Sequence, residues 1–239
     1  MAWSVRLTPA LARGIVYLVA LLTFPFPGIC MAKSGLLAYY DLDSWWESAL
    51  TPSERQRVES LFHPLGSDRP DPLTDGAVGH IDGATATPAG FLSALLGWLR
   101  STPEDITIRR KMRDKLGELT AVEPNVISRH FALQVLISEY YRDRELVSGA
   151  LQASIAACRQ QIEMAPVVAR AMRADFPDQL PRHVGYERLA VILEKNKEYD
   201  EAIRVCEEAR RSGWNGDWER RAQRCAARRT KGGSDPRGT

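Results

Sequence analysis

One apolar pattern, present twice, constrains the fold of this chain more than any other feature. The later copy has apolar residues at positions i, i+3, i+4 and i+7, which fall on one face of a helix: Tyr186, Leu189, Ala190 and Leu193. The earlier copy has the same spacing 53 residues upstream, at Leu133, Leu136, Ile137 and Tyr140. Both segments are therefore predicted to be amphipathic helices with matching buried faces.

A second helix is predicted to follow each copy. Asn196-Lys197 interrupts the later pattern, and a new apolar face then begins with Tyr199, Ala202, Ile203, Cys206 and Ala209. The segment that starts at Ser154 matches the one that starts at Ala202, at an offset of 48, so that Cys158 matches Cys206. The offset falls from 53 for the first helices to 48 for the second helices. The earlier copy therefore has five additional residues in its turn, within 142–149. The chain thus contains two copies of one helical hairpin, the first with a longer tip.

Helix-start signals predict four further helices between Ser44 and Leu119. Each begins with a Ser or Thr whose hydroxyl can accept a hydrogen bond from the first turn: Ser44, Thr51, Thr87 and Thr102. Proline follows each of the three threonines, at a position where a missing N–H costs nothing. No segment alternates polar and apolar residues over the length of a strand, so the predicted fold class is all-α.

Residues 186–214 resemble a tetratricopeptide repeat, and residues 129–166 resemble a degenerate copy of one. The likeness lies in the large, Leu, small, large order of the first helix and in Tyr-Asp-Glu-Ala-Ile at the start of the second. The chain departs from the family where Lys197 replaces the usual Gly, Trp214 replaces the closing Pro, and Ile137 occupies a position that is usually small. The resemblance implies antiparallel hairpins that stack into one scaffold.

In this family the first helices of successive hairpins line a concave groove for extended peptides or partner helices. By position, the resemblance implies groove residues on both copies: Gln134, Ser138, Tyr141, Arg142, Glu187, Val191, Glu194 and Lys195. The Lys and Asn pattern with which some members bind a C-terminal carboxylate is absent, because Val191 replaces the Asn. An ordinary solvated helix face accounts for the same residues without any partner.

Two hairpins are fewer than the ~3 repeats that such arrays need for stability, so other helices should cover their ends. We expect a repeat domain over residues 127–229, with a helix at Pro166–Phe176 between the copies and a last helix that begins after Asp217 as N-cap. The helical region at residues 31–120 would cover the other end. Residues 230–239 have the composition of a disordered tail.

The N-terminal residues 1–30 allow two interpretations. Arg6 and Arg13 precede an uncharged, largely apolar run over residues 14–30, as in a signal peptide or a short anchor. Two prolines interrupt the run, and Met31 offers a second start position, which makes residues 1–30 an upstream extension. We favour the second interpretation and a cytoplasmic protein over export or anchoring. A membrane contact is expected only if residues 14–30 are retained.

Residues 63–88 are rich in Pro, Gly and Asp and predict a long exposed loop. Asp75, His80 and Asp82 within it are candidate metal ligands, and a metal-dependent hydrolase built on them is our third hypothesis. No fourth ligand is evident, and no Gly-Lys-Ser/Thr follows the glycines to bind phosphate. We therefore expect neither a metal nor another cofactor at this loop.

The arginine-rich end of the chain supports the second hypothesis, a nucleic-acid-associated accessory protein. Its arginines are candidates for phosphate contacts: Arg220, Arg221, Arg224, Arg228 and Arg229. Aromatic residues are not interleaved with them, the net charge of the chain is only +2, and arginines near a helix C-terminus stabilise the helix dipole without a partner. We do not expect nucleic acid as the partner.

Candidates for catalysis are few. Arg129-His130 and Arg182-His183 recur at equivalent positions of the two copies, where a histidine could act as acid or base but more commonly caps a helix. Cys158 and Cys206 lie on apolar faces and are predicted to be buried, unreactive thiols. The first hypothesis is therefore a non-enzymatic helical-repeat protein that binds a protein or peptide through a groove, in an oligomeric state that the sequence does not indicate.

Overall fold

The computed structural model describes residues 34–64, 71–81 and 83–232. Helices form nearly all of the regular structure in these residues, which confirms the all-α class. Eleven α-helices occur in this part of the chain: α1 (Gly35–Tyr39), α2 (Asp43–Ala49), α3 (Pro52–Glu59), α4 (Pro88–Leu96), α5 (Pro103–Val122), α6 (Val126–Arg142), α7 (Ala150–Glu163), α8 (Ala165–Met172), α9 (Val184–Lys195), α10 (Tyr199–Arg211) and α11 (Trp218–Gly232). The predictions made on residues 1–30 lie outside the described residues.

Three of the four predicted helix starts are confirmed at their caps. Thr51 and Glu54 form a reciprocal capping box, in which the Glu54 amide donates to Thr51 Oγ1 at 3.3 Å and the Thr51 amide donates to Glu54 Oε2 at 2.7 Å. The hydroxyls of Thr87 and Thr102 accept from amides of the first turn in the same way. The sequence therefore sets the starts of α3, α4 and α5 locally.

The predicted cap at Ser44 is wrong. Helix α2 begins at Asp43, and Leu42 occupies the N-cap position without a side-chain hydrogen bond. Leu42 is buried, and its amide donates to the Leu37 carbonyl oxygen at 2.8 Å, so packing against α1 fixes where α2 begins. A capping pattern is a local signal, and here a tertiary contact overrides it.

The described part of the 63–88 loop is not a simple exposed connector. Leu73 is fully buried, and its carbonyl oxygen accepts a hydrogen bond from the Leu37 amide at 3.0 Å. Gly35 has a φ of +79°, and a Cβ at this position would overlap the backbone of Leu73 and Thr74. The glycine thus allows the loop to lie directly against the start of α1, and a short 3₁₀ turn at Gly83–Thr85 leads into α4.

Helices α6 and α7 form the first hairpin, hairpin 1, as the spacing predicted. Leu133, Leu136 and Ile137 are buried, and Tyr140 is half-buried. Ser154 of α7 matches Ala202 of the later copy. The Ser154 hydroxyl donates to the Ile137 carbonyl oxygen at 3.1 Å. A buried hydroxyl is satisfied in this way without separating the two helices.

Helices α9 and α10 form the second hairpin, hairpin 2. Tyr186, Leu189, Ala190 and Leu193 are all buried, as are Ala202, Cys206 and Ala209 on the facing helix. The small side chains allow α9 and α10 to approach closely. A short parallel pair closes the hairpin at its base, where β1 (Leu180–Arg182) lies beside β2 (Trp214–Asn215). These strands are too short to show an alternating sequence pattern.

The two hairpins stack on each other, and additional helices cover them. Helix α9 packs against both α6 and α7, α8 follows α7 and packs on α6, and α11 packs along α10. At the other end, α4 and α5 pack on α6. This arrangement is that of a helical repeat with covered ends. Helix α11 extends to Gly232, so the predicted tail is wrong for residues 230–232, and residues 233–239 lie outside the described residues.

None of the helices in the described ranges has both the length and the apolar composition that crossing a bilayer requires.

Candidate functional site

The first helices of the two hairpins line a surface groove of about 380 Å³. Three of the predicted groove residues lie in it: Gln134 and Ser138, one turn apart on α6, and Glu187 on α9. Arg182 and Arg188 also line the groove, although the sequence did not single them out for this role. The structure therefore brings part of the predicted set together and adds two cations to it.

The groove continues toward the start of α11. A second concavity of about 440 Å³ shares Arg182 and Glu187 with the first and extends to Asn215, Asp217 and Arg221. Arg182 and Glu187 form an ion pair at 2.5 Å between the two concavities. These two adjoining concavities are together called the α6–α9–α11 groove below.

Tyr141 and Lys195 contact each other, but neither lines the two concavities. Lys195 Nζ donates a hydrogen bond to Tyr141 Oη at 3.0 Å, so two predicted residues from different hairpins are in direct contact. Partial burial alone would raise the pKa of Tyr141, but this hydrogen bond and the charges of Lys195, Arg144 and Arg188 outweigh it and lower the pKa. The local potential at the phenol is therefore strongly positive.

Arg142 and Val191 do not line the groove. Arg142 forms an ion pair with Glu139, one turn earlier on α6, at 2.7 Å. Val191 is half-buried on α9. The resemblance to a tetratricopeptide repeat implied both as groove residues, but neither lines the cavity that contains Gln134 and Ser138.

Glu194, which was predicted to face the groove, is bound within the protein. Its side chain is only 8% exposed and forms ion pairs with three arginines of α11. Arg224 binds both carboxylate oxygens, at 2.7 and 2.8 Å, while Arg221 and Arg228 bind at 3.1 and 2.8 Å. These arginines, Arg224 above all, lower the pKa of Glu194. The carboxylate therefore connects α9 to α11.

The same contacts account for most of the arginines proposed to bind nucleic acid. Arg221, Arg224 and Arg228 converge on Glu194, and Arg229 forms an ion pair with Asp200 of α10. An arginine that is already paired with a carboxylate has less to gain from a phosphate. The arginine-rich composition of α11 thus has an explanation in the packing of this helix.

The recurring histidines lie together between the two hairpins. The rings of His130 and His183 are 5.0 Å apart and both are packed against Trp214, with all three side chains buried. The Tyr186 amide donates to His183 Nδ1 at 3.3 Å, so His183 is the N-cap of α9 and its neutral ring carries the proton on Nε2. The capping role expected for this residue is confirmed.

Both histidines are neutral at physiological pH. Burial lowers the pKa of His130 to about 4. Burial, together with the neighbouring His130, lowers the pKa of His183 to about 3. His130 Nδ1, His183 Nε2 and Trp214 Nε1 are buried without a hydrogen-bond partner in the described part of the chain. The cluster is therefore a structural contact between the hairpins with unused hydrogen-bonding capacity.

The cysteine prediction is confirmed for the described thiols. Cys158, Cys206 and Cys225 are buried and free. Burial raises the pKa of Cys158 to about 12 and that of Cys206 to about 11, which removes the thiolate needed for nucleophilic attack.

The candidate ligands of the 63–88 loop do not form a cluster in the described residues. Asp75 accepts a hydrogen bond from the Ser34 hydroxyl at 3.4 Å, and Asp82 lies outside those residues. Within the ranges that the structure describes, no group of three or more metal-binding side chains is close enough to hold an ion.

The prediction misplaced Glu194 and did not place Asp217 and Arg221 in the groove for one reason. The positions were assigned from a two-hairpin pattern, which leaves the flank of α9 open. In the structure α11 covers part of that flank, which buries Glu194 and adds Asp217 and Arg221 to the groove.

Comparison with known proteins assigns no family to the chain: no protein-family model, curated protein or solved structure gives a match.

Proposed function

We propose that this protein is a non-enzymatic scaffold of the tetratricopeptide-repeat type that binds an extended peptide segment of another protein in the α6–α9–α11 groove. The observation that carries the proposal is that the two concavities share Arg182 and Glu187. Gln134 and Ser138 of α6, Glu187 and Arg188 of α9, Asn215 of β2 and Arg221 of α11 line these adjoining concavities.

The chemistry of the groove also supports peptide binding. Its lining combines amide, hydroxyl and charged side chains with the edge of Trp218, which suits the alternating polar and apolar groups of an extended chain. The remaining candidates for catalysis have other roles, because the described cysteines are buried and the two histidines pack against each other and Trp214.

A selection of short linear peptides from a displayed random library tests the proposal. Ser138→Trp places a large side chain in the groove, while Gln152→Trp makes the same change of bulk at an exposed site on α7. We expect selected peptides to bind the unmodified protein and Gln152→Trp equally, and to lose at least about tenfold in affinity with Ser138→Trp, as measured by fluorescence anisotropy.

Two outcomes would contradict the proposal. One is a selection that yields no peptide with measurable affinity. The other is a set of peptides whose affinity is the same for Ser138→Trp and Gln152→Trp, because those peptides would bind elsewhere. Circular dichroism of both variants serves as the control for folding.

A further inference from the structure

We infer that the α6–α9–α11 groove selects acidic peptide segments, and that Arg188 beside Tyr141 is the residue that binds their carboxylates. The inference rests on the proposed function and specifies its partner. It is carried by a group of four side chains, called the Tyr141 cluster below: Tyr141, Arg144, Arg188 and Lys195.

Three cations of the Tyr141 cluster surround one ring. The guanidinium carbons of Arg144 and Arg188 lie 4.3 and 4.1 Å from the centroid of the Tyr141 ring, and Lys195 Nζ lies 5.7 Å from it. Each cation gains from the ring face, but three like charges this close repel one another. An anion that binds among them would relieve this repulsion.

Carboxylates of the protein compensate only one of these cations. Arg144 forms an ion pair with Glu145 at 2.9 Å, whereas Arg188 and Lys195 have no carboxylate partner in the part of the chain that the structure describes. The Nε of Arg188 is buried and makes no hydrogen bond there. A carboxylate that binds the outer N–H groups of this half-buried guanidinium would offset the cost of leaving its charge without an acceptor.

The helix dipole does not explain why a cation occupies position 188. Lys195 lies in the last turn of α9, where a cation stabilises the negative end of the dipole. Arg188 lies in the first half of the same helix, where a cation gains nothing from the dipole. Stacking on Tyr141 holds Arg188 in place, and this stacking directs it into the groove with Gln134 and Ser138.

The charges along the groove are complementary to an acidic segment. Glu187 is already paired with Arg182, which leaves Arg188 as the uncompensated charge in the first concavity. Lys195 adds a second cation beside Tyr141, outside the residues that line the two concavities. Asp or Glu side chains, or a terminal carboxylate, are the peptide groups that a stacked arginine binds best, because both oxygens can accept from the guanidinium.

The test measures fluorescence anisotropy with two labelled peptides of equal length, one of alternating Glu and Ser and one with Gln in place of every Glu. We expect the Glu peptide to bind at least about tenfold more tightly, and Arg188→Gln to remove most of this difference. Lys195→Gln should have a smaller effect in the same direction. Arg204→Gln removes the same charge from the exposed side of α10 and should change nothing.

Failure of this inference can be distinguished from failure of the proposed function. Equal affinity for the two peptides, or equal effects of Arg188→Gln and Arg204→Gln, would overturn the acidic preference, while library peptides sensitive to Ser138→Trp would still support a peptide groove. A single-stranded oligonucleotide that binds more tightly than the Glu peptide would also overturn the inference, because it would identify phosphate as the preferred anion. An unchanged unfolding curve for Arg188→Gln excludes loss of fold as the cause.

Discussion

Hairpins 1 and 2 are joined to their outer helices by the same device, placed at opposite ends of the stack. In hairpin 1, Glu139 near the end of α6 binds Arg109 of α5. In hairpin 2, Glu194 near the end of α9 binds three arginines of α11. In each case a buried carboxylate late in the first helix connects the hairpin to the helix that covers it.

The two ion-pair sites differ in their exposure to solvent. Arg109 is 9% exposed and also donates to the carbonyl oxygens of Leu96 and Leu99, so its site is enclosed. Arg224 and Arg228 are 40% and 53% exposed, so water screens their attraction to Glu194. Glu139 thus binds the enclosed Arg109 and the more exposed Arg142, whereas Glu194 binds three arginines, two of which are at least 40% exposed.

The tips of the hairpins differ as well. Hairpin 1 turns through the longer segment that the sequence predicted, which ends at Gly149 with a φ of +79°. Hairpin 2 turns within three residues, and Lys197 takes a φ of +63° at the position where a tetratricopeptide repeat, which the sequence of this hairpin resembles, usually has Gly. A side chain in this left-handed conformation costs about 1 kcal/mol, so the tighter hairpin is the strained one.

The largest predicted change in stability is a pH dependence that arises at His130 and His183, where the two hairpins meet. Both have a folded-state pKa below the unfolded value, so the unfolded chain binds more protons and stability falls as the pH decreases from about 6.5 toward about 4. Between about pH 7 and about pH 5 we expect a loss of about 4 kcal/mol in the free energy of unfolding, measured by urea denaturation.

His183→Asn is the matched control for this pH dependence, because Asn also caps helices well. This substitution should remove about half of the change in the free energy of unfolding between pH 7 and pH 5. Glu194 and Asp143 contribute little in this window, since their pKa values are lowered in the folded state and carboxyl groups of the unfolded chain protonate mainly below about pH 5. Stability that is constant over this range would contradict the burial of the two neutral rings.

The second prediction compares the two ion-pair sites. Glu139→Gln should lower the free energy of unfolding by about 3 kcal/mol, because it leaves Arg109 charged in an enclosed site. Glu194→Gln should cost about 1.5 kcal/mol, because its arginines can turn toward water. Glu201→Gln, in an exposed pair with Arg204, is the control and should cost less than about 0.5 kcal/mol. The reverse order for the two buried sites would show that enclosure does not determine their strength.

The smallest effect is expected at the tip of hairpin 2. Lys197→Gly should raise the free energy of unfolding by about 0.5–1 kcal/mol, because glycine adopts a positive φ without steric cost. Asn196→Gly is the control: Asn196 has a φ of −76°, so glycine there should only add entropy to the unfolded chain and lower stability. Thermal unfolding distinguishes the two, and destabilisation by Lys197→Gly would show that the lysine has a compensating contact.

Much of the fold was predictable because its signals are local or periodic. The caps at Thr51, Thr87 and Thr102 and the two apolar helix faces depend on residues within one or two turns of each other. The prediction failed at Ser44, where packing of Leu42 sets the helix start, and at residues 230–232, which continue α11. For the candidate site, the positions of Gln134, Ser138 and Glu187 followed from the resemblance to a tetratricopeptide repeat, and those of Arg182 and Arg188 did not.

The amino-acid order alone establishes which segments are helices, which faces are apolar and that one hairpin occurs twice, since each of these depends on spacing along a single helix. The exposure of a charged residue depends on which distant helix covers it. Glu194 and Glu187 both fit a groove by spacing, but α11 packs over Glu194 and leaves Glu187 at the surface. In the same way, Arg188 becomes a candidate ligand-binding residue only because hairpin stacking places it over Tyr141.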